Sequence, residues 1–226
     1  MSDQENLPLE GDLTPDESFD ESSDITYRGS SNDPIFGLLL AGAVALGLAP
    51  IIGADGFDLR YVIVWGLLAS FGVLAWLFGS GPRIVRDQPE NLAWGIVFAL
   101  ILVVPLLGFG GNTFAEMADL MLRDMTPGTA LAFLVFIMPM GETLYFRGII
   151  QNIRPFWQTA LMASTLQMVI FFPLVDRGPY PLIVGIVMVM ANMIYGYVRQ
   201  RNSLAGAWIC QITVNIALIF FPFVSG

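Results

Sequence analysis

The sequence predicts an all-α protein, a polytopic bundle of about seven transmembrane helices. Hydrophobic residues make up 55% of the 226 residues, charged residues make up only 13%, and the mean hydropathy is +0.68. Soluble domains carry about 25% charged residues, so this balance is typical of a membrane protein. The second observation is the length of the apolar stretches, which matches the thickness of a bilayer.

A helix needs roughly 17–25 apolar residues to cross the hydrocarbon core. Seven stretches meet this condition: Pro34–Gly53, Tyr61–Gly79, Asn91–Phe109, Ala130–Gly148, Thr159–Val175, Leu182–Val198 and Leu204–Val224. Between the third and the fourth, apolar residues recur at helical spacing from Phe114 to Met125, with charged residues between them. This segment predicts a short amphipathic helix on the membrane surface or against the bundle.

The first 33 residues differ from the rest of the chain. They hold ten acidic residues against Arg28 alone, which accounts for the whole net charge of −9. We therefore predict a disordered acidic tail at residues 1–33 and a transmembrane domain at residues 34–226. With seven spans, six arginines fall on the side of the tail and three on the other. The arginine bias predicts an inner or plasma membrane protein whose N-terminus is cytoplasmic and whose C-terminus is outside.

The residue types that the chain lacks limit the catalytic and metal-binding chemistry that it can perform. It has no histidine and a single cysteine, Cys210. Histidine is the usual proton-transfer group near neutral pH and the commonest metal ligand, and one cysteine excludes an internal disulfide. We predict no metal, no cofactor and no nucleic-acid partner, whereas the lipid bilayer is an expected partner.

Polar residues inside the spans are costly in lipid and mark candidate functional sites. The fourth span contains Glu142 and Arg147, which would point about 140° apart on an α-helix because they are five residues apart. Later spans contain four amides, each of which could also serve only to bond helices together: Gln167, Asn192, Gln211 and Asn215. We expect Glu142, Arg147, Gln211 and Asn215 to converge on one cavity that faces the cytoplasm.

The segments "ETLYFRG" (Glu142–Gly148) and "QMVIF" (Gln167–Phe171) and the ending "YGYVRQRNSLAGAWICQITVNIAL" resemble, in this order, motifs of the CAAX-protease and bacteriocin-processing (CPBP, or Abi) family. The run "ETLYFRG", from Glu142 to Gly148, resembles the family's first motif, E-E-x-x-x-R followed by glycine. The segment "QMVIF", from Gln167 to Phe171, is the best match to the motif F-x-x-x-H. The ending "YGYVRQRNSLAGAWICQITVNIAL" resembles the third region, with "QITVN" in place of H-x-x-x-N/D. The resemblance covers residues 128–220 and implies a CAAX-protease-like core.

Active members of that family are intramembrane endopeptidases. The resemblance implies that Glu142 replaces the glutamate that activates water, that Arg147 is the motif arginine, and that Asn215 helps to hold the oxyanion. It also implies that the cavity is lined by four further residues: Thr143, Gln167, Phe171 and Gln211. Thr143 stands where the motif has its second glutamate, and Phe171 and Gln211 stand where it has histidines.

Three functions remain open from the sequence. The first is a pseudoprotease that acts as a membrane scaffold, assembly or binding subunit, with a membrane-protein partner or a lipidated or helical peptide in its cavity. The second is an active glutamate-dependent intramembrane endopeptidase. The third is a transporter that uses Glu142 as a proton site, although the inverted repeats typical of many transporters are not visible.

Overall fold

The computed structural model describes residues 34–52, 56–77, 88–171 and 180–225, and the regular structure within these ranges is helical throughout. The predicted disordered tail, residues 1–33, lies outside the described residues. Seven helical runs follow one another in the described part: α1 (Pro34–Ile52), α2 (Phe57–Leu77), α3 (Pro89–Leu122), α4 (Pro127–Ile153), α5 (Phe156–Phe171), α6 (Tyr180–Arg201) and α7 (Leu204–Ser225).

All of these helices except α5 are long and apolar enough to cross a membrane. Helix α5 has 16 residues, which gives about 24 Å at a rise of 1.5 Å per residue, against a hydrocarbon core of about 30 Å. The prediction of an all-helical chain with several long apolar helices is confirmed. These helices indicate an integral membrane protein, while the count of seven spans stays a prediction.

Helix α3 is divided by a kink. The predicted third span and the predicted amphipathic helix together occupy Pro89–Leu122, and a kink with non-helical backbone at Gly110 (φ −138°, ψ 17°) separates them. Beyond the kink, Phe114, Met121 and Leu122 are buried against the rest of the bundle. The apolar face of the part after the kink packs inward, which is one of the two placements expected for the amphipathic helix.

Helix α4, which carries the first CPBP-like motif, is not uniformly α-helical. Three α-helical pieces alternate with two π-helical segments: Pro127–Ala132, π at Phe133–Ile137, Met138–Glu142, π at Thr143–Ile150, and Gln151–Ile153. Helix α7 likewise has a π-helical segment, Ile216–Phe220, between Leu204–Asn215 and Phe221–Ser225. Such π-helical insertions occur frequently at functional sites.

Contacts between helix ends show which ends lie together. A Cβ added to Gly95 would come within 2.3 Å of the Gly206 carbonyl oxygen, so α3 and α7 begin side by side. The Gln151 Nε2 donates to the Gly196 carbonyl (2.9 Å), so α4 and α6 end side by side. At the opposite end of the bundle, the Arg60 side chain donates to the Ile170 carbonyl near the end of α5.

Candidate functional site

The Glu142 side chain is fully buried and accepts hydrogen bonds from three neighbours. The Gln167 Nε2 donates to Glu142 Oε1, while Gln211 Nε2 and Arg147 Nη1 donate to Glu142 Oε2, the arginine at 3.3 Å. A carboxylate offers about four acceptor positions, so these donors occupy most of them. One carboxylate therefore joins α4 to α5 and α7.

The π-helical segment explains why Glu142 and Arg147 meet. On an α-helix they would point about 140° apart. In a π-helix, however, the N–H of residue i+5 bonds to the carbonyl of residue i, so residues five apart lie on successive turns. Arg147 lies within the π-helical segment Thr143–Ile150, and its Nη1 forms a buried ion pair with Glu142 Oε2. The divergence of about 140° belongs to α-helical geometry and does not apply across this π-helical segment.

Arg147 has two further contacts on α6. Its Nη2 donates to Asn192 Oδ1, and its guanidinium carbon lies 5.1 Å from the centre of the Tyr195 ring. The Asn192 Nδ2 is within hydrogen-bond distance of Gln167 Oε1 (2.8 Å) and Ser164 Oγ (3.1 Å). The polar network thus connects α4, α5, α6 and α7.

The sequence interpretation did not include Ser164 or Tyr195 among the site residues. Each lies three residues from an amide of the network, Ser164 before Gln167 and Tyr195 after Asn192. Residues three apart share a helix face, so this spacing is a signal that could have identified both. The buried Arg60 was also missed, since it was interpreted as a loop residue.

The side chains of Thr143 and Gln211 form a hydrogen bond. The Thr143 Oγ1 donates to Gln211 Oε1 at 3.3 Å, which leaves the Gln211 Nε2 to donate to Glu142. Gln211, which stands where the resemblance expects a histidine, therefore supplies a hydrogen-bond donor. An amide does not titrate, so it cannot take up a proton as an imidazole does.

The Asn215 side chain bonds to a backbone carbonyl and not to Glu142. Its Nδ2 donates to the Leu134 carbonyl (3.0 Å) and lies 3.6 Å from Met138 Sδ. The Met138 N–H bonds to the Phe133 carbonyl, and Pro139 has no N–H. The Leu134 carbonyl therefore lacks the donors four and five residues further along, and the Asn215 amide supplies one. The oxyanion role that the resemblance implies for Asn215 stays a prediction.

Phe171 lies at the end of α5, where its ring centre is 5.8 Å from that of Tyr61 on α2. The Tyr61 hydroxyl donates to Met138 Sδ (3.2 Å). The position at which the resemblance expects a histidine is thus part of an aromatic contact between α2 and α5. A phenyl ring can neither donate nor accept a conventional hydrogen bond in place of that histidine.

A cavity of about 70 Å³ adjoins this network. Its lining includes polar or motif residues named above (Glu142, Gln167, Phe171, Asn192, Gln211, Asn215) and four methionines (Met117, Met121, Met138, Met188). Thr143 and Arg147 contact lining residues instead of forming part of the lining. Pockets for small molecules usually measure 300–1,000 Å³, so this cavity has room for only a few waters.

The described ranges contain no group of three or more histidine, cysteine, aspartate or glutamate residues that could hold a metal ion. Cys210, the single cysteine, is buried in α7. Comparison with protein-family models, with curated proteins and with solved structures found no match to this chain.

Proposed function

We propose that this chain is a non-catalytic relative of the CPBP intramembrane endopeptidases and acts as a scaffold, assembly or binding subunit in the membrane. The observation that carries the proposal is the bonding of Glu142. Its carboxylate is held by Arg147, Gln167 and Gln211, and none of these three groups can take up a proton at the atom that contacts it.

Hydrolysis through a glutamate needs more than the carboxylate. The carboxylate must take a proton from water, and another group must position the base or pass the proton on. Such acid–base help is commonly worth about 10²–10⁴-fold in rate. The chain has no histidine for this task, and Gln211 and Phe171 occupy the positions at which the resemblance expects one.

The network is suited to a structural role. It joins four helices through hydrogen bonds between buried side chains, and polar groups in lipid have few alternative partners. The cavity is too small for a peptide segment or a lipid tail. A partner helix would therefore pack on the outer faces of the bundle, where side chains such as Leu39, Val104 and Leu182 are exposed.

An active endopeptidase is the second candidate, and one observation favours it. Glu142 itself lines the cavity, and the cavity can hold water. A carboxylate beside water is the minimum arrangement for hydrolysis. The transporter alternative has no comparable observation in its favour.

Reconstitution distinguishes the two candidates. The full chain is purified in mild detergent, inspected for a stoichiometric membrane partner, and incubated in liposomes with membrane-embedded and prenylated peptides. We expect a partner to co-purify and no peptide to be cut. Cleavage by the wild-type chain that is lost in a folded Glu142→Gln variant, but kept in Glu116→Gln, would overturn the proposal. Glu116 is a suitable control because it is exposed on α3.

A further inference from the structure

One end of the bundle concentrates positive charge. Arg154 lies in the link between α4 and α5, and Arg199 and Arg201 lie in the last turn of α6. The Arg199 Nη2 donates to Asn152 Oδ1 (3.4 Å), which holds the last turn of α6 against the end of α4. We call these three residues, Arg154, Arg199 and Arg201, the arginine end.

Helix N-termini add to this charge. Helices α3, α5 and α7 begin at the arginine end, since α5 starts at Phe156 and the starts of α3 and α7 meet at Gly95 and Gly206. The first N–H groups of a helix carry a partial positive charge that favours anions. Of the acidic residues that the structure describes, Glu90 in the first turn of α3 lies at this end. Among the described residues, this end therefore has three arginines and one carboxylate.

Aromatic side chains flank the arginine end on the outer surface. Trp157 is 47% exposed and Tyr197 is 39% exposed, and the Arg201 guanidinium carbon lies 5.9 Å from the centre of the Tyr197 ring. The Tyr197 ring in turn contacts Phe98 on α3 at 5.7 Å. Tryptophan and tyrosine are enriched at the level of lipid headgroups, which places the arginines at the same level.

We propose that the arginine end binds the phosphate group of an anionic membrane lipid. Guanidinium groups pair well with phosphate because their N–H donors match the geometry of its oxygens. Arg154 and Arg201 are exposed and reach the phosphate, while the bond of Arg199 to Asn152 keeps the last turn of α6 in place. The acyl chains lie along Trp157 and Tyr197. This site is separate from the Glu142 network and does not depend on the proposed function.

Lipid titration tests the proposal. The purified full chain in neutral detergent is titrated with phosphatidylglycerol, and bound lipid is counted by native mass spectrometry. We expect retention of phosphatidylglycerol but not of phosphatidylcholine. Arg154→Gln and Arg201→Gln should each weaken binding about fivefold, because one basic residue near an anionic surface contributes about that factor. Both side chains are exposed, so the fold should survive, and thermal unfolding checks this.

The matched control is Arg123→Gln. Arg123 follows the last residue of α3, at the opposite end of the bundle, and its side chain is 50% exposed. It should leave lipid binding unchanged. Equal binding of phosphatidylcholine, or unchanged affinity in the Arg154→Gln/Arg201→Gln double variant, would overturn the proposal. Inorganic phosphate that displaces the lipid at equal concentration would overturn it as well, because the site would then select free phosphate.

Discussion

Two pairs of an acid and an arginine differ in their surroundings. Asp119 and Arg123 are four residues apart on an exposed face, with 4.0 Å between the charged atoms and side chains that are 71% and 50% exposed. Glu142 and Arg147 are five residues apart, meet at 3.3 Å, and are 0% and 2% exposed. The spacing of four is the favourable one on an α-helix, yet the closer pair has the spacing of five. Burial and the winding of the backbone therefore determine how closely an acid and an arginine approach each other more than their spacing in the sequence does.

The energetic consequences also differ. Water screens the exposed pair, and such pairs contribute about 0–1 kcal/mol to stability. A buried pair is different because removing one partner leaves the other charge in a medium that cannot solvate it, at a cost of about 3–5 kcal/mol. Variants at the two pairs, and at inward and outward positions of one helix, test this contrast.

The largest effect is expected for Arg147→Ala. The change removes the ion pair with Glu142, the bond to Asn192 and the contact with Tyr195, so the free energy of unfolding should fall by about 3–5 kcal/mol. Reversible unfolding in detergent micelles measures it. A Glu142→Gln/Arg147→Met double variant, which removes both charges, should recover part of the loss. A loss below about 1 kcal/mol for Arg147→Ala would show that the pair is not desolvated as the structure indicates.

Two glycines of α3 offer a similar contrast between a packed position and an open one. A Cβ at Gly95 would meet the Gly206 carbonyl oxygen at 2.3 Å, and this backbone cannot move aside as a side chain could. Gly95→Ala should therefore lower the free energy of unfolding by about 1–3 kcal/mol. Gly108→Ala is the matched control, since no described atom lies within 4 Å of its added Cβ, and thermal unfolding should show no loss. Equal losses at both positions would contradict the close approach of α3 and α7.

Asn215→Leu tests whether a neutral buried bond behaves like the ion pair. The Leu134 carbonyl would lose the donor that replaces the missing N–H of Pro139, at a cost of about 1–3 kcal/mol in unfolding free energy. In a Pro139→Ala background a backbone N–H is restored, so the same change should cost less. The double-mutant cycle should then show a coupling above about 0.5 kcal/mol. Strict additivity would mean that Asn215 does not serve the carbonyl freed by Pro139.

The smallest effect is expected for Asp119→Asn. The pair with Arg123 is long and exposed, so the free energy of unfolding should change by less than about 0.5 kcal/mol. Chemical denaturation at low and high salt measures the change. A loss above about 1 kcal/mol would remove the contrast between the exposed and the buried pair.

The sequence alone was sufficient to predict the order of the helices in the described part and where several of them begin. The predicted fifth to seventh stretches begin within three residues of α5, α6 and α7, because a bilayer of fixed thickness demands apolar runs of fixed length. It also led to the expectation that Glu142, Arg147, Gln211 and Asn215 converge, and in the structure Arg147 and Gln211 bond to Glu142 whereas Asn215 bonds to backbone. Polar groups are so costly in lipid that each must find a polar partner, and the chain offers few.

The tertiary structure alone decided how these residues bond. Whether a turn of α4 is α- or π-helical depends on whether neighbouring helices supply partners for the backbone groups that it releases, as Asn215 does for Leu134. No periodicity in the sequence contains that information. Three features appear only once α4, α5, α6 and α7 pack together: the contact of Glu142 with Arg147, the bond of Asn215 to backbone and the small volume of the cavity. Each of them depends on how one helix is rotated against the next.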